Sequence, residues 1–194
     1  RGKDLAPTFR ILDGSREEDP TIRACLEYAK QLKDCTAFAP RQIDEMLTDL
    51  EAELEKRSAD PQANHPTVNV VIVNLGRFRE LRREEDFSFG GGEGGSKPDA
   101  ILSKLLSDGP PLGIHVCVWS DSVSTITRWL SRSSLRDIEI RILGQMSAND
   151  SNQLIDNNQA NRLDRYVMLV HDDSDGKGIK FRPFMIESVL EKKP

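Results

Sequence analysis

The sequence lacks any stretch near the roughly 20 consecutive apolar residues that a membrane-spanning helix needs, so no such span is expected. It opens Arg-Gly-Lys-Asp, with no Met and no following apolar core. No secretory signal is expected there, and the chain is expected to be part of something longer. Cysteine is sparse. Cys25, Cys35 and Cys117 show no CxxC or Cys/His spacing, which excludes a zinc-ligand pattern and a disulfide scaffold. An odd, low count predicts a reducing, cytoplasmic setting. Cys117 falls inside an apolar run and is expected to be a small core residue. His65 and His171 stand in polar contexts and are expected to be solvated. No Ser/His/Asp or Cys/His partner set accompanies His115, so a structural role at the start of a buried strand is favoured over catalysis. The net charge of −5 excludes a surface that is basic throughout, but leaves room for a local basic stripe. No GxxxxGKS/T occurs anywhere, so no phosphate-cradling loop of that type is written in the chain.

What is present centres on Val68 to Arg83, VNVVIVNLGRFRELRR. Six of its first eight residues are Val, Ile or Leu, and it then breaks into glycine and charge. A run this apolar and β-branched predicts a strand buried on both faces. Other strands are expected at TFRILD (8–13), IHVCVW (114–119), IEIRIL (138–143), YVMLV (166–170) and, as an edge, 180–186. Helices are expected from Pro20, from Pro40 to about Ser58, over 99–106, over 122–130, and over 147–155 with Ser147 as cap. Residues 36–40 read as a break. Five glycines within 90–95 predict a flexible loop over 87–97, native or engineered. Alternating strands and helices predict an α/β fold with a mainly parallel sheet and helices on both faces. One domain is expected over 1–194, with a core over 8–186 and a tail over 187–194.

A resemblance then appears. GPPLGIHVCVWSDS, followed by ANDSNQLID and NNQANRLDRYVMLV, resembles the C-terminal half of an FtsK/SpoIIIE-type P-loop ATPase domain, the family of DNA translocases and type VII secretion ATPases. Gly113, Ile114 and His115 match a Gly-Ile-His that opens a sensor strand. Asp150, Ser151, Ile155 and Asp156 match a second element, and Val167 to Leu169 a third. VVIVNLGRFREL resembles the Walker B strand and its following acidic segment, with Phe78 and Leu81 fitting and Glu80 at the family's later Asp. The resemblance implies a P-loop NTPase-like fold, here lacking the Walker A βα unit.

The departures decide the functional expectation. Gly76 and Arg77 stand where the resemblance implies the Asp-Glu pair that holds Mg²⁺ and polarises water, and a cation there repels Mg²⁺. Ser120 and Asp121 replace the implied Thr and Gln, and Asn152 replaces an Arg. Gly76, Arg77, Glu80, Ser120 and Asp121 are thus expected to be the remnant of a nucleotide pocket. No catalytic residue, metal or cofactor is expected, with ATP and Mg²⁺ entering only if residues outside the chain complete the site. Arg79, Arg82, Arg83, Arg128, Arg132 and Trp119 are candidate interface residues, since Arg forks suit carboxylates or phosphates. The bland alternative for the Arg77–Arg83 cluster is a solvated segment balanced by Glu80, Glu84, Glu85 and Asp86. Trp119 is expected to fill the space a nucleotide would take.

The expected function is a degenerate motor domain. It would be a structural or regulatory module of an ATP-driven, DNA-translocase-like assembly, working beside other ATPase domains or subunits in a possible ring. One alternative is a recognition module for secreted peptides. Another is an active ATPase whose P-loop lies outside these residues.

Overall fold

A computed structural model describes residues 5–16, 18–83 and 97–183. The chain divides into two compact units, Arg1–Leu135 and Arg136–Pro194, and each is described by itself. The 87–96 stretch and the tail lie outside the described residues.

The first unit is built on four parallel strands in the order β2-β1-β3-β4. These are β1 (Thr8–Asp13), β2 (Cys35–Phe38), β3 (Val68–Val73) and β4 (Ile114–Val118). Parallel neighbours need crossover connections. They are supplied by α1 (Pro20–Ala29), α2 (Ile43–Ala59) and α3 (Pro98–Asp108). Pro20 and Pro98 each open a helix at a position where a missing N–H costs nothing.

Register places Leu12, Ile72 and Val118 in one row, and Ile11, Val71 and Cys117 in the row beside it. Side chains of successive rows point to opposite faces of the sheet. The Leu12 face carries α2, whose Asp49 reaches Arg10 at 3.8 Å. α3 packs on α2. Ile43, Met46, Leu47, Leu50 and Leu54 of α2 are all buried, as their spacing predicts. The other face carries α1, where Leu26 joins Ile11 and Val73, with Ile22, Ala29 and Val71 packed around them.

Three sequence expectations need correction here. Residues 36–38 are not a break but part of β2, a short edge strand beside β1. Four residues of mixed polarity at a sheet edge leave too little periodicity to read. β4 is not buried on both faces, because no described strand pairs with its outer side. His115 and Cys117 are therefore exposed rather than enclosed. Partial burial of the thiol still raises the Cys117 pKa, so it is a poor thiolate.

The most buried polar side chain described in this unit is Arg57, only 1% exposed. Its Nη1 donates to the carbonyls of Leu112 (2.8 Å) and Gly113 (3.3 Å), and its Nη2 to that of Pro66 (2.8 Å). Nε pairs with Glu53 at 2.8 Å. One guanidinium thus ties the end of α2 to the approach to β3 and to the turn before β4. Gly113 is left-handed there, with φ of 74°. A Cβ at that position would lie 3.4 Å from Arg57 Nη1.

The second unit has a three-stranded antiparallel sheet in the order β5-β6-β7: β5 (Ile140–Leu143), β6 (Met168–Asp172) and β7 (Lys177–Phe181). The last strand begins earlier than its sequence suggests. Before the sheet comes α4 (Val123–Trp129), in the first unit, and α5 (Arg132–Arg136), at the junction; α6 (Ala148–Ile155) follows β5. Leu143, Ile155, Ala160, Leu163 and Leu169 form this unit's core. Ser147 caps α6 as expected, accepting from the Asp150 N–H. Buried Ser151 donates to the Asn157 carbonyl at 2.6 Å and accepts from the Ala160 N–H. His171 is 4% exposed within β6, with Nε2 3.5 Å from Asp173, and is not solvated as its polar neighbours suggest. Its strand position overrides the polarity of the residues after it.

Arg57→Ala should lower stability by about 2–4 kcal/mol, since it removes a buried guanidinium and leaves three carbonyls without their donor. Gly113→Ala should cost about 1–2 kcal/mol through the left-handed backbone alone. Urea unfolding of both variants measures this.

Candidate functional site

In open parallel sheets ligands bind outside the carboxyl ends of the strands, where the strand order reverses. Here the chain steps from β1 out to β2 and then back across to β3, so the reversal lies between β1 and β3. The residues beyond those ends are Asp13, Gly14 and Asn74 through Phe78. β3 ends at Val73, two residues earlier than the sequence run suggests. The first position past the strand is thus Asn74, not Gly76. Asn74 is 3% exposed and left-handed, with φ of 61°. Asn tolerates that region better than most residues. Sequence reasoning missed it because the apolar run continues to Leu75. The left-handed kink was the signal: an Asn interrupting a Val/Ile run.

Past the kink, Leu75–Arg77 and Arg79–Leu81 form two single 3₁₀ turns. They send Phe78 inward, at 1% exposure. Its ring lies beside Gly14, where a Cβ would fall 2.9 Å from the ring edge and 2.3 Å from the Val73 carbonyl oxygen. The Gly14 N–H donates to that same carbonyl at 3.1 Å. The crevice between β1 and β3 is therefore closed by an aromatic ring and a backbone hydrogen bond. Trp119, expected to fill this space, is instead 41% exposed past β4. Its backbone holds the crest together, with its carbonyl accepting from the Leu75 N–H and its N–H donating to Ile72.

The pocket-remnant residues do not converge. Gly76 packs against α4, where an added Cβ would meet the Thr125 methyl at 3.2 Å. Arg77 is exposed. Ser120 donates to the Ser122 carbonyl at 3.2 Å, and Ser122 caps α4. Asp121 faces Arg16 at 3.7 Å. That pair is about half exposed on both sides and contributes ~1 kcal/mol at most. Glu80 lies elsewhere, in a cleft with Arg79, Arg82 and Arg83. Glu80 and Asp121 are thus held apart, each beside arginine. Among the described residues no group of three or more His, Cys, Asp or Glu side chains could hold a metal ion.

The cleft has a volume of about 910 Å³ and is lined by Arg79, Glu80, Arg82, Arg83, Trp129 and the first turn of α3. The structure brings together three of the candidate interface arginines. Arg128, Arg132 and Trp119 do not line it, and both arginines are exposed. Trp129, which the sequence does not single out, is a wall of the cleft. Its Nε1 donates to the Phe78 carbonyl at 2.7 Å, and the Arg82 guanidinium stands 5.7 Å over its ring.

No protein-family model matches the chain, and no curated protein does. Solved structures do match it in fold. One is the crystal structure of B204, the DNA-packaging ATPase from Sulfolobus turreted icosahedral virus. It has a TM-score of 0.59 and 12% identity over 92% of this chain and 84% of that one. Another is the genome-packaging NTPase B204 from Sulfolobus turreted icosahedral virus 2 in complex with ATP-gammaS. Its TM-score is 0.55 and its identity 9%, covering 92% of this chain and 83% of that one. Identities this low carry the fold alone.

Gly14→Ala should destabilise the protein by about 1–3 kcal/mol, because the added methyl has no room against Val73 and Phe78. Differential scanning calorimetry reads it. An unchanged Tm would mean that the crevice is looser than the geometry describes. The four-stranded parallel sheet flanked by helices, with these structural likenesses, makes the fold P-loop NTPase-like.

Proposed function

We propose that this chain is a degenerate motor domain of the FtsK/SpoIIIE type, a structural or regulatory module in a larger ATP-driven, DNA-translocase-like assembly. One observation carries the reading: past β3 the chain presents Asn74, Gly76 and Arg77, with Phe78 packed into the crevice against Gly14. Phosphoryl transfer depends on Mg²⁺ held by carboxylates and on an acid or amide that orients the attacking group. An arginine and a buried ring at that place supply neither. The P-loop motif is missing from the sequence as well.

The likeness to viral packaging NTPases supports the motor half of the reading. The altered crest supports the degenerate half. In such an assembly, intact ATPase domains or subunits would perform hydrolysis. This domain would retain the family's shape and its contacts.

Titration calorimetry with Mg·ATP tests this on the chain and on the parent protein. The expected result is no binding to the chain and tight binding to the parent. Micromolar binding by the chain would overturn the reading. It would favour an active ATPase, in which Glu80 or Asp121 takes the place of the missing acid pair.

A further inference from the structure

We propose that residues 184–194 fold as a short amphipathic helix onto the outer face of the β5-β6-β7 sheet, so that this face is covered by the chain's own following segment. Pairing puts Ile142, Val170 and Ile179 in one row across the three strands. Met168 and Phe181 pair on one side of that row, and Ile140, Asp172 and Lys177 on the other. Residues two apart in a strand share a face, so these rows lie together. The opposite face carries Leu143, Leu169 and His171, all buried, and Leu143 and Leu169 share a core with Ile155 of α6. An antiparallel sheet with one face on a core normally turns polar residues outward. Here the outer face carries Ile140, Ile142, Met168, Val170, Ile179 and Phe181. Ile140, Ile142 and Ile179 are 53%, 57% and 68% exposed.

The segment that follows fits this face in position, pattern and length. Pro183, two residues past the end of β7, has no N–H with which to extend the ladder. The chain therefore leaves the sheet at the Phe181 end, beside the apolar rows and away from Asp172 and Lys177. Residues 184–194 read FMIESVLEKKP. At helical spacing, Met185, Ile186, Val189 and Leu190 fall on one side, and Glu187, Ser188, Glu191 and Lys192 on the other. A helix over 185–192 is about 12 Å long, against roughly 10 Å across three strands. A helix this short is marginal alone in water and depends on an apolar surface to pack against. The sheet offers that surface, and the contact lies wholly within the second unit, independent of the motor-module reading of the first.

Methyl NMR and anilinonaphthalene sulfonate emission, both on the full chain, decide it. Nuclear Overhauser contacts are expected between the methyls of Ile186 or Leu190 and those of Ile142 or Ile179. The V189K/L190K variant should shift the Ile142 and Ile179 methyl resonances and leave that of buried Leu169 in place, which also shows that the sheet is folded. Dye emission should rise severalfold in this variant as the apolar face is bared. Adding I142T/I179T to it should bring the emission back down. E187Q/E191Q, on the outward side of the helix, should change neither reading. Unmoved Ile142 and Ile179 resonances with unchanged emission in V189K/L190K would overturn the proposal. So would contacts from Ile142 or Ile179 to methyls of residues 5–135, which would make the first unit the cover. A dimer in sedimentation that I142T/I179T dissociates and V189K/L190K leaves intact would overturn it too, and would make a second copy the occupant.

Discussion

Everything in the first unit depends on one buried cation. Arg57 is the last polar group of α2 to point inward, and it is bonded to three backbone carbonyls and one carboxylate. A guanidinium is expensive to bury unless its donors are nearly all used. Here the carbonyls come from two separate places in the chain, the approach to β3 and the turn before β4. These are the segments that set where the two strands begin, and hence their register. The Gly-Ile-His sequence belongs to this arrangement. Gly113 supplies the left-handed turn, Ile114 starts the buried row, and His115 faces out. A motif that resembles a sensor-strand signature is here explained by packing.

At the other end of the same strands, the chain does something different with the same sheet. The crest is closed rather than open. A ring, a glycine without room for a methyl, and a left-handed asparagine occupy the position where α/β proteins usually place a ligand. The polar residues that survive there are used locally, in a helix cap, a turn and an exposed ion pair. Three of the arginines that the sequence bunches after β3, Arg79, Arg82 and Arg83, line a cleft with Trp129 instead.

The sequence made the α/β character, the central strand and the main helix legible because long apolar runs and clear i, i+3/i+4 spacing leave few alternatives. Ser147 and Pro20 announced their helix ends through cap chemistry. Position within the sheet was not legible. His115 and Cys117 lie in a strand whose composition suits the interior, but β4 is outermost among the described strands, and only topology shows that. Phe78 and Trp119 are both aromatic and both near the crest. Which one is buried depends on the kink at Asn74, a backbone feature that composition does not encode. By composition Arg57 is one charge among many in α2. Nothing local marks it as the exception, because its partners lie far away in sequence. The arginine cluster was visible, whereas its gathering with Trp129 required the fold.

Phe78 has one further consequence. Its side chain seals the crevice between β1 and β3, while its carbonyl anchors the indole that walls the basic cleft. A single residue thus serves as a hinge pin between two surfaces. The indole's bond and the ring's packing thus depend on the same backbone unit. A change in the backbone at Phe78 is therefore felt on two surfaces at once, the crevice and the cleft.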